Sequence, residues 1–127
     1  MSGVTYDTGA LVAAERNDRT MWALHAGFLA EEAVPTVPAP VLAEAWRGGG
    51  RQASLSRLLA MCEVEDMGER QARRVGVLAG KAAHDDIVDV TVVEGAARRR
   101  DAVVTSNDEH IRTIARAAGA RLRVEHV

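Results

Sequence analysis

The stretch HDDIVDVTVVEGA, from His84 to Ala96, sets three carboxylates against an almost wholly apolar run: Asp85, Asp86 and Asp89. A carboxylate at the edge of a hydrophobic core is costly unless a donor or a cation pairs with it. If the segment is helical, Asp86 and Asp89 lie one turn apart on the same face. That arrangement predicts a site for Mg²⁺ or Mn²⁺, because both ions prefer oxygen ligands.

Other polar residues fall near the ends of predicted strands. Asp7 directly follows the first strand, and Thr105 and Asn107 end and follow the strand AVVT. Open parallel sheets bind ligands at the carboxyl ends of their strands, so these side chains and Asp86 are expected in one cleft. Glu44 lies beside the apolar arc of a mid-chain helix. Carboxylates that converge favour a bound divalent cation, which can activate water and stabilise charge developing at phosphorus.

Each of these residues also has a purely structural interpretation. Asp7 and Asp86 could cap the helices that follow them, since carboxylates suit the positive end of a helix dipole. Glu44 could face solvent, and the segment 105–107 could cap the next helix. Asp89 is the hardest to explain in this way, because the isoleucine and valines around it leave no polar face.

The elements that position these residues alternate short β-prone runs with longer helical ones, which predicts a parallel sheet covered by helices. The predicted strands are GVTY, VPTVPA, EVEDM, AVVT and RLRVEHV. Because its prolines disfavour helix, VPTVPA could be an edge strand or a strand leading to a turn. The predicted helices are TGALVAAERN, DRTMWALHAGFLAEE, PVLAEAWRGGG, QASLSRLLAMC, GERQARRVGVLAGKAA and EHIRTIARAAG.

The segment IVDVTVV, with which the chain continues after Asp86, is ambiguous. Its β-branched residues favour a strand. However, Ile87 and Val88 are adjacent, as are Val92 and Val93, so strict alternation fails. Continued through EGAARRR, the segment is also too long for a typical strand. We therefore predict a helix, which would lead into the strand AVVT as a right-handed crossover.

Composition narrows the class of protein. A chain of 127 residues suits a single domain, 1–127, and its net charge of −2 gives no global basic field that would indicate nucleic acid. One cysteine, Cys62, excludes an internal disulfide, and no basic, apolar leader or membrane-length apolar run is present. We expect a soluble cytoplasmic protein that does not enter membranes. The four histidines are scattered without the spacing of a zinc site: His25, His84, His110 and His126.

Four motifs resemble a PIN domain, specifically a VapC-type toxin ribonuclease of a type II toxin–antitoxin system. They are YDTGALVAAER, VPAPVLAEAWRGG, HDDIVDVTVVEGA and VVTSNDEHI, and the resemblance runs from Val4 to Ile111. It implies a three-layer α/β/α sandwich with a central parallel sheet. It also implies hydrolysis of RNA by an acidic cluster that binds Mg²⁺ or Mn²⁺, a VapB-like antitoxin that inhibits the enzyme, and a homodimer.

By position in these motifs, the resemblance implies four catalytic and metal-binding acids: Asp7, Glu44, Asp86 and Asp89. Thr105 and Asn107 match an element of the form Thr-x-Asp/Asn, in which many family members have Asp at the position of Asn107. The loss of that charge argues against two tightly bound metals. The motif reads DTG where DTS is commoner, and Thr8 remains available to orient Asp7.

Arginines supply 15 of the 16 basic residues and could contact RNA phosphates, although solvated surface positions explain most of them equally well. Arg47 and Arg51 are the preferred candidates, because the glycines between them permit close backbone approach. Antitoxin binding is predicted at a groove formed by apolar residues of two helices, unless these residues belong to the core: Met21, Trp22, Leu24, Phe28, Leu42 and Trp46.

Three other classes of protein share features with this sequence. A phosphotransfer receiver domain also has an acidic Mg²⁺ pocket, but it needs an acidic pair before its phosphorylated Asp and a lysine beyond the threonine strand. Here a single Asp follows the first strand, and the only lysine, Lys81, lies elsewhere. The others are a PIN fold kept as a non-catalytic binding module and a PIN nuclease outside a toxin–antitoxin pair.

Overall fold

A computed structural model describes residues 3–127 and shows five parallel strands in one sheet, in the order β3-β2-β1-β4-β5. The strands are β1 (Val4–Tyr6), β2 (Thr36–Pro38), β3 (Glu63–Glu65), β4 (Ala102–Thr105) and β5 (Val124–His126). The central pair is set in register by Thr5 opposite Val103. Both strands are wholly buried, so the sheet forms the middle of the hydrophobic core.

Within residues 3–127, seven α-helices surround the sheet. They are α1 (Thr8–Glu15), α2 (Arg19–Ala30), α3 (Ala39–Ala45), α4 (Ala53–Leu59), α5 (Glu69–Ala82), α6 (Ile87–Arg99) and α7 (Asp108–Ala117). Helices α2, α3 and α4 pack against α1. Helices α5, α6 and α7 pack against one another. The predicted three-layer α/β/α sandwich with a parallel sheet is therefore confirmed.

The ambiguous segment after Asp86 is helical, as predicted. The reason is visible in its burial, because every residue of α6 from Asp89 to Ala96 is buried. A helix enclosed on most sides can be apolar all round, so it lacks the polar stripe of a surface helix. The β-branched residues are therefore explained by the burial of the helix and do not indicate a strand.

The suggestion that VPTVPA forms an edge strand is wrong, because β2 lies between β1 and β3. Its prolines do not prevent this position. The strand has only three residues, Pro35 precedes it, and the Pro35 carbonyl accepts a hydrogen bond from the Glu63 N–H. A proline lacks a donor but keeps its acceptor, so the ends of a short interior strand tolerate it.

Helix α3 also ends earlier than predicted, at Ala45, before the glycine run. Gly48 and Gly49 have φ values of 81° and 92°, which favour glycine. The buried Gln52 side chain fixes this loop by accepting hydrogen bonds from the Arg47 and Gly48 N–H groups. The glycines thus serve a tight turn around Gln52.

None of the helices within residues 3–127 combines the length and the apolar character needed to cross a bilayer.

Candidate functional site

An open cleft of about 610 Å³ gathers most of the predicted site residues. It lies where the loops after β1 and β4 meet the starts of α1 and α6. Six predicted residues line it: Asp7, Thr8, Glu44, Asp86, Asp89 and Asn107. Four carboxylates from three parts of the chain therefore share one cavity, and Asp7 and Asp86 lie there as predicted from the carboxyl ends of parallel strands.

Asp7 is the most buried of these acids, with 4% of its surface exposed. It caps α1, since its Oδ1 accepts the Thr8 N–H at 2.7 Å. Its Oδ2 accepts the Thr105 hydroxyl at 2.7 Å, and that hydroxyl also accepts the Asn107 N–H. Asp7 therefore caps α1 and also lines the cleft, and Thr105 orients its carboxylate.

Burial raises the pKa of Asp7 above its usual value. The hydrogen bonds from Thr105 and Thr8 oppose this shift, and the nearby charges of Glu44 and Asp86 add to it. The surroundings of Asp7 therefore disfavour its negative charge.

Glu44 extends into the cleft from α3 and is exposed. Its Oε1 accepts the Thr8 hydroxyl at 2.6 Å. Thr8 was expected to orient Asp7, and its backbone does so, but its hydroxyl orients Glu44. One residue at the start of α1 thereby connects two of the four acids.

Asp86 caps α6, with its Oδ1 accepting the N–H groups of Val88 and Asp89 at 3.1 and 3.3 Å. Both bonds use the same oxygen, so Oδ2 takes no part in the cap. Capping and cation binding are compatible here, because a carboxylate offers two oxygens.

Asp89 lies one turn further along α6 and is buried. Burial first, then the charges of Asp7 and Asp86, raise its pKa to about 6, against opposition from His110 and His84. No lysine or arginine within residues 3–127 forms an ion pair with any of the four acids. In the described part of the chain, the only pairing of these carboxylates with a basic side chain is a loose one, in which the His110 Nδ1 lies 3.6 Å from the Asp89 Oδ2.

The expectation that the histidines are scattered is wrong for two of them. His84 and His110 flank Asp89, and one donor atom from each of the three lies within 4.8 Å of the others. The two rings are 5.4 Å apart, and Asn107 Nδ2 is 2.9 Å from His110 Nδ1. Motif spacing could not reveal this group, because a loop before α6 and a turn of α7 bring the histidines together.

The arginines are placed differently from the prediction. Arg47 and Arg51 do not line the cleft, and Arg47 Nη1 donates to the carbonyls of Ala43 and Trp46 at the end of α3. Arg16 is the arginine that lines it, and it is exposed. An RNA-binding role for Arg47 and Arg51 stays a prediction.

The unusual DTG motif has a steric explanation. A Cβ at Gly9 would overlap the Ser106 side chain and lie 2.9 Å from the Ser106 backbone nitrogen. Gly9 therefore lets α1 approach the loop that follows β4, which carries Asn107. The glycine in DTG thus makes room for Ser106 on the facing loop.

Comparison with solved structures shows what the fold is similar to. A chain of VapBC2 from Rickettsia felis, bound to a DNA fragment from its promoter, matches with a TM-score of 0.74 at 18% identity over 97% of both chains. A chain of DNA-bound VapBC from Salmonella typhimurium matches with a TM-score of 0.67 at 19% identity, over 99% of this chain and 98% of that one. The fold is therefore the PIN-like α/β/α fold of VapC proteins.

Sequence comparison adds nothing to this result, since no family model and no curated protein matches the chain significantly.

Proposed function

We propose that this chain is a metal-dependent endoribonuclease of the VapC toxin type. The observation that carries the proposal is the convergence of Asp7, Glu44, Asp86 and Asp89 in one cleft without a lysine or arginine partner in the described chain. Solved VapBC complexes with the same fold support it. Such a set of acids lowers stability, so a protein that keeps it is expected to use it.

The donor set fits a hard divalent cation. Four carboxylates can supply only oxygen ligands, which suits Mg²⁺ or Mn²⁺, and both ions keep several waters. Asp7, Glu44, Asp86 and Asp89 would hold the ion. When bound, it would activate water and stabilise the charge that develops at phosphorus. Asn107 is neutral where a further acid is common, which favours one tightly held ion over two.

The chain's own residues prepare the cleft for this reaction. Thr105 and the Thr8 N–H fix both oxygens of Asp7, and the Thr8 hydroxyl fixes Glu44. Fixed ligands need no reorganisation when the charge of the transition state develops. Arg16 at the cleft offers a cation to an RNA phosphate, which would position the strand without reading its bases.

A VapB-like antitoxin is the proposed partner. An arginine or lysine of that partner, inserted among the four acids, would replace the metal's charge without its chemistry. The predicted apolar groove needs one correction, because Met21 is fully buried in the core. Trp46, with 41% of its surface exposed, remains available to an amphipathic antitoxin helix. A homodimer is also proposed, and sedimentation of the purified chain measures it.

The test compares RNA cleavage by the purified chain and by Asp7→Asn, with Mg²⁺ or Mn²⁺ and with EDTA. Mapping new RNA ends in cells that express each form gives the cleavage sites. Asp108→Asn is the matched control, since Asp108 pairs with His126 and does not line the cleft. Equal cleavage in EDTA, or by the Asp7 variant, would overturn the proposal.

A further inference from the structure

The His84, Asp89 and His110 cluster differs in chemistry from the acidic cleft that it adjoins. Two of its three donors are imidazole nitrogens, and the third is a buried carboxylate. Mg²⁺ binds nitrogen poorly, whereas Zn²⁺, Co²⁺ and Ni²⁺ bind imidazole well. We propose that these three residues bind a divalent transition-metal cation of the Zn²⁺ type.

The positions of the donors support this assignment. Asp89 is fixed on a buried helix, and the His110 Nδ1 lies 3.6 Å from its Oδ2. The two imidazole rings meet edge to face, with 74° between their planes, so they do not stack on each other. Two histidines and one carboxylate hold an ion on one side and leave its other positions open to water.

Only a small movement is needed to close the site. Zinc bonds of about 2.0–2.2 Å place the ligand atoms about 3–3.5 Å apart, whereas the three donors here lie within 4.8 Å of one another. The His110 side chain is 54% exposed, so its ring can turn if it gives up its contact with the Asn107 amide. The His84 Nδ1 accepts only a long bond of 3.3 Å from the Asp86 N–H.

A simple ion pair is the weaker explanation of the cluster. An ion pair of Asp89 with His110, at 3.6 Å, would not involve His84. A single divalent cation is attracted to the carboxylate and can bind both rings, which lie 5.4 Å apart. The cluster of three donors therefore matches a cation better than it matches one ion pair.

Sharing Asp89 with the acidic cleft would couple this site to cleavage. Asp89 belongs both to this cluster and to the acidic cleft. An ion held by the two histidines would withdraw Asp89 from the four carboxylates. Zn²⁺ is then expected to inhibit cleavage that depends on Mg²⁺, and this consequence alone rests on the proposed function.

Calorimetric titration with Zn²⁺, without RNA, tests the binding. Co²⁺ absorption spectra report whether nitrogen ligands surround the ion. Wild type should bind one equivalent, and both His84→Ala and His110→Ala should bind at least about tenfold more weakly. His126→Ala is the matched control, because this histidine pairs with Asp108 and lies outside the cluster. Circular dichroism verifies that each variant is folded, and His110→Gln replaces His110→Ala if the latter unfolds.

Two results would overturn the site: no Zn²⁺ binding by the wild type, or equal binding by wild type and both histidine variants. Inhibition of Mg²⁺-dependent cleavage is measured separately, and His110→Ala should need at least about tenfold more Zn²⁺. A chain that binds Zn²⁺ through the histidines but never cleaves RNA would refute the nuclease and leave the site standing. Cleavage without histidine-dependent binding would do the reverse.

Discussion

Helix α6 carries two buried acids, Asp89 and Glu94, in opposite surroundings. Glu94 accepts hydrogen bonds from Gln71, Arg74 and Arg98. Asp89 has two acids and two histidines around it, and it accepts no hydrogen bond from a lysine or arginine within residues 3–127. The two residues belong to the same helix and are similarly buried, so the difference between them arises from their neighbours.

Their ionisation reflects this difference. Burial acts to raise the pKa of Glu94, but hydrogen bonds from Arg98 and Gln71 outweigh it and hold the pKa below its usual value. Burial also raises the pKa of Asp89, and here Asp7 and Asp86 add to the effect, so that it reaches about 6. An acid with internal partners stabilises the fold, and an acid surrounded by like charges is available to an external cation.

The largest expected difference is in catalysis. Asp89→Asn should lower RNA cleavage by about 100-fold or more, since it removes a charge from the reacting site. Glu94→Gln should stay within about threefold of wild type at a temperature where it is folded, because it touches no group in the cleft. Single-turnover cleavage of one RNA by both variants measures this. Equal losses would abolish the distinction between the two acids.

Stability should change with opposite signs. Glu94→Gln should lower the free energy of unfolding by about 1–3 kcal/mol, because it weakens hydrogen bonds to charged donors. In metal-free buffer at pH 7, Asp89→Asn should raise it by about 1–3 kcal/mol, because it removes a carboxylate with a raised pKa. Urea unfolding of both variants gives the two values. A destabilised Asp89→Asn would show that the cleft acids contribute to the fold.

The pH dependence distinguishes the same two residues. The pKa of Asp89 rises from 3.8 to about 6 on folding, so its stabilising contribution is present below about 4 and is lost as pH rises through about 6. The metal-free stability advantage of Asp89→Asn should therefore shrink between pH 7 and pH 5. The pKa of Glu94 is lowered, so the deficit of Glu94→Gln should persist over that range and shrink only under more acidic conditions. Melting temperatures at several pH values measure both trends, and parallel curves for the two variants would contradict them.

The smallest expected effect concerns the arginines. Arg16→Ala should raise the KM for RNA by about two- to fivefold, as expected for the loss of one exposed phosphate contact. Arg47→Ala is the matched control, because Arg47 binds carbonyls at the end of α3. A rise in KM for Arg47→Ala alone would contradict this expectation and support the RNA-binding role predicted for Arg47 from the sequence.

Much of the fold was predictable, because periodicity and strand-end chemistry are local signals. The helix α6 was identified correctly by its length and failed alternation. The interior position of β2 was not predicted. Prolines show which backbone N–H donors are missing, but they do not determine which strands pair. The convergence of the four acids was expected from several signals: strand ends indicated Asp7 and Asp86, helical spacing indicated Asp89, and the PIN resemblance indicated all four.

The rest of the site depends on tertiary contacts. His84 and His110 meet only because α6 and α7 pack together. Thr8 donates its N–H to Asp7 and its hydroxyl to Glu44, and the second bond depends on how α3 packs against α1. Arg47 lies outside the cleft, in a loop that turns around Gln52 through contacts that composition does not contain.

If the proposed function is correct, the cleft acids lower the stability of the metal-free fold and bind a catalytic cation. Thermal unfolding and RNA cleavage of wild type and Asp7→Asn, each with Mn²⁺ and with EDTA, test it together. Mn²⁺ should raise the melting temperature of the wild type, since a ligand of the native state stabilises by mass action. Asp7→Asn should melt no lower than wild type in EDTA, gain little from Mn²⁺ and leave RNA intact. A variant that cleaves RNA like wild type, or that loses its fold, would contradict the claim.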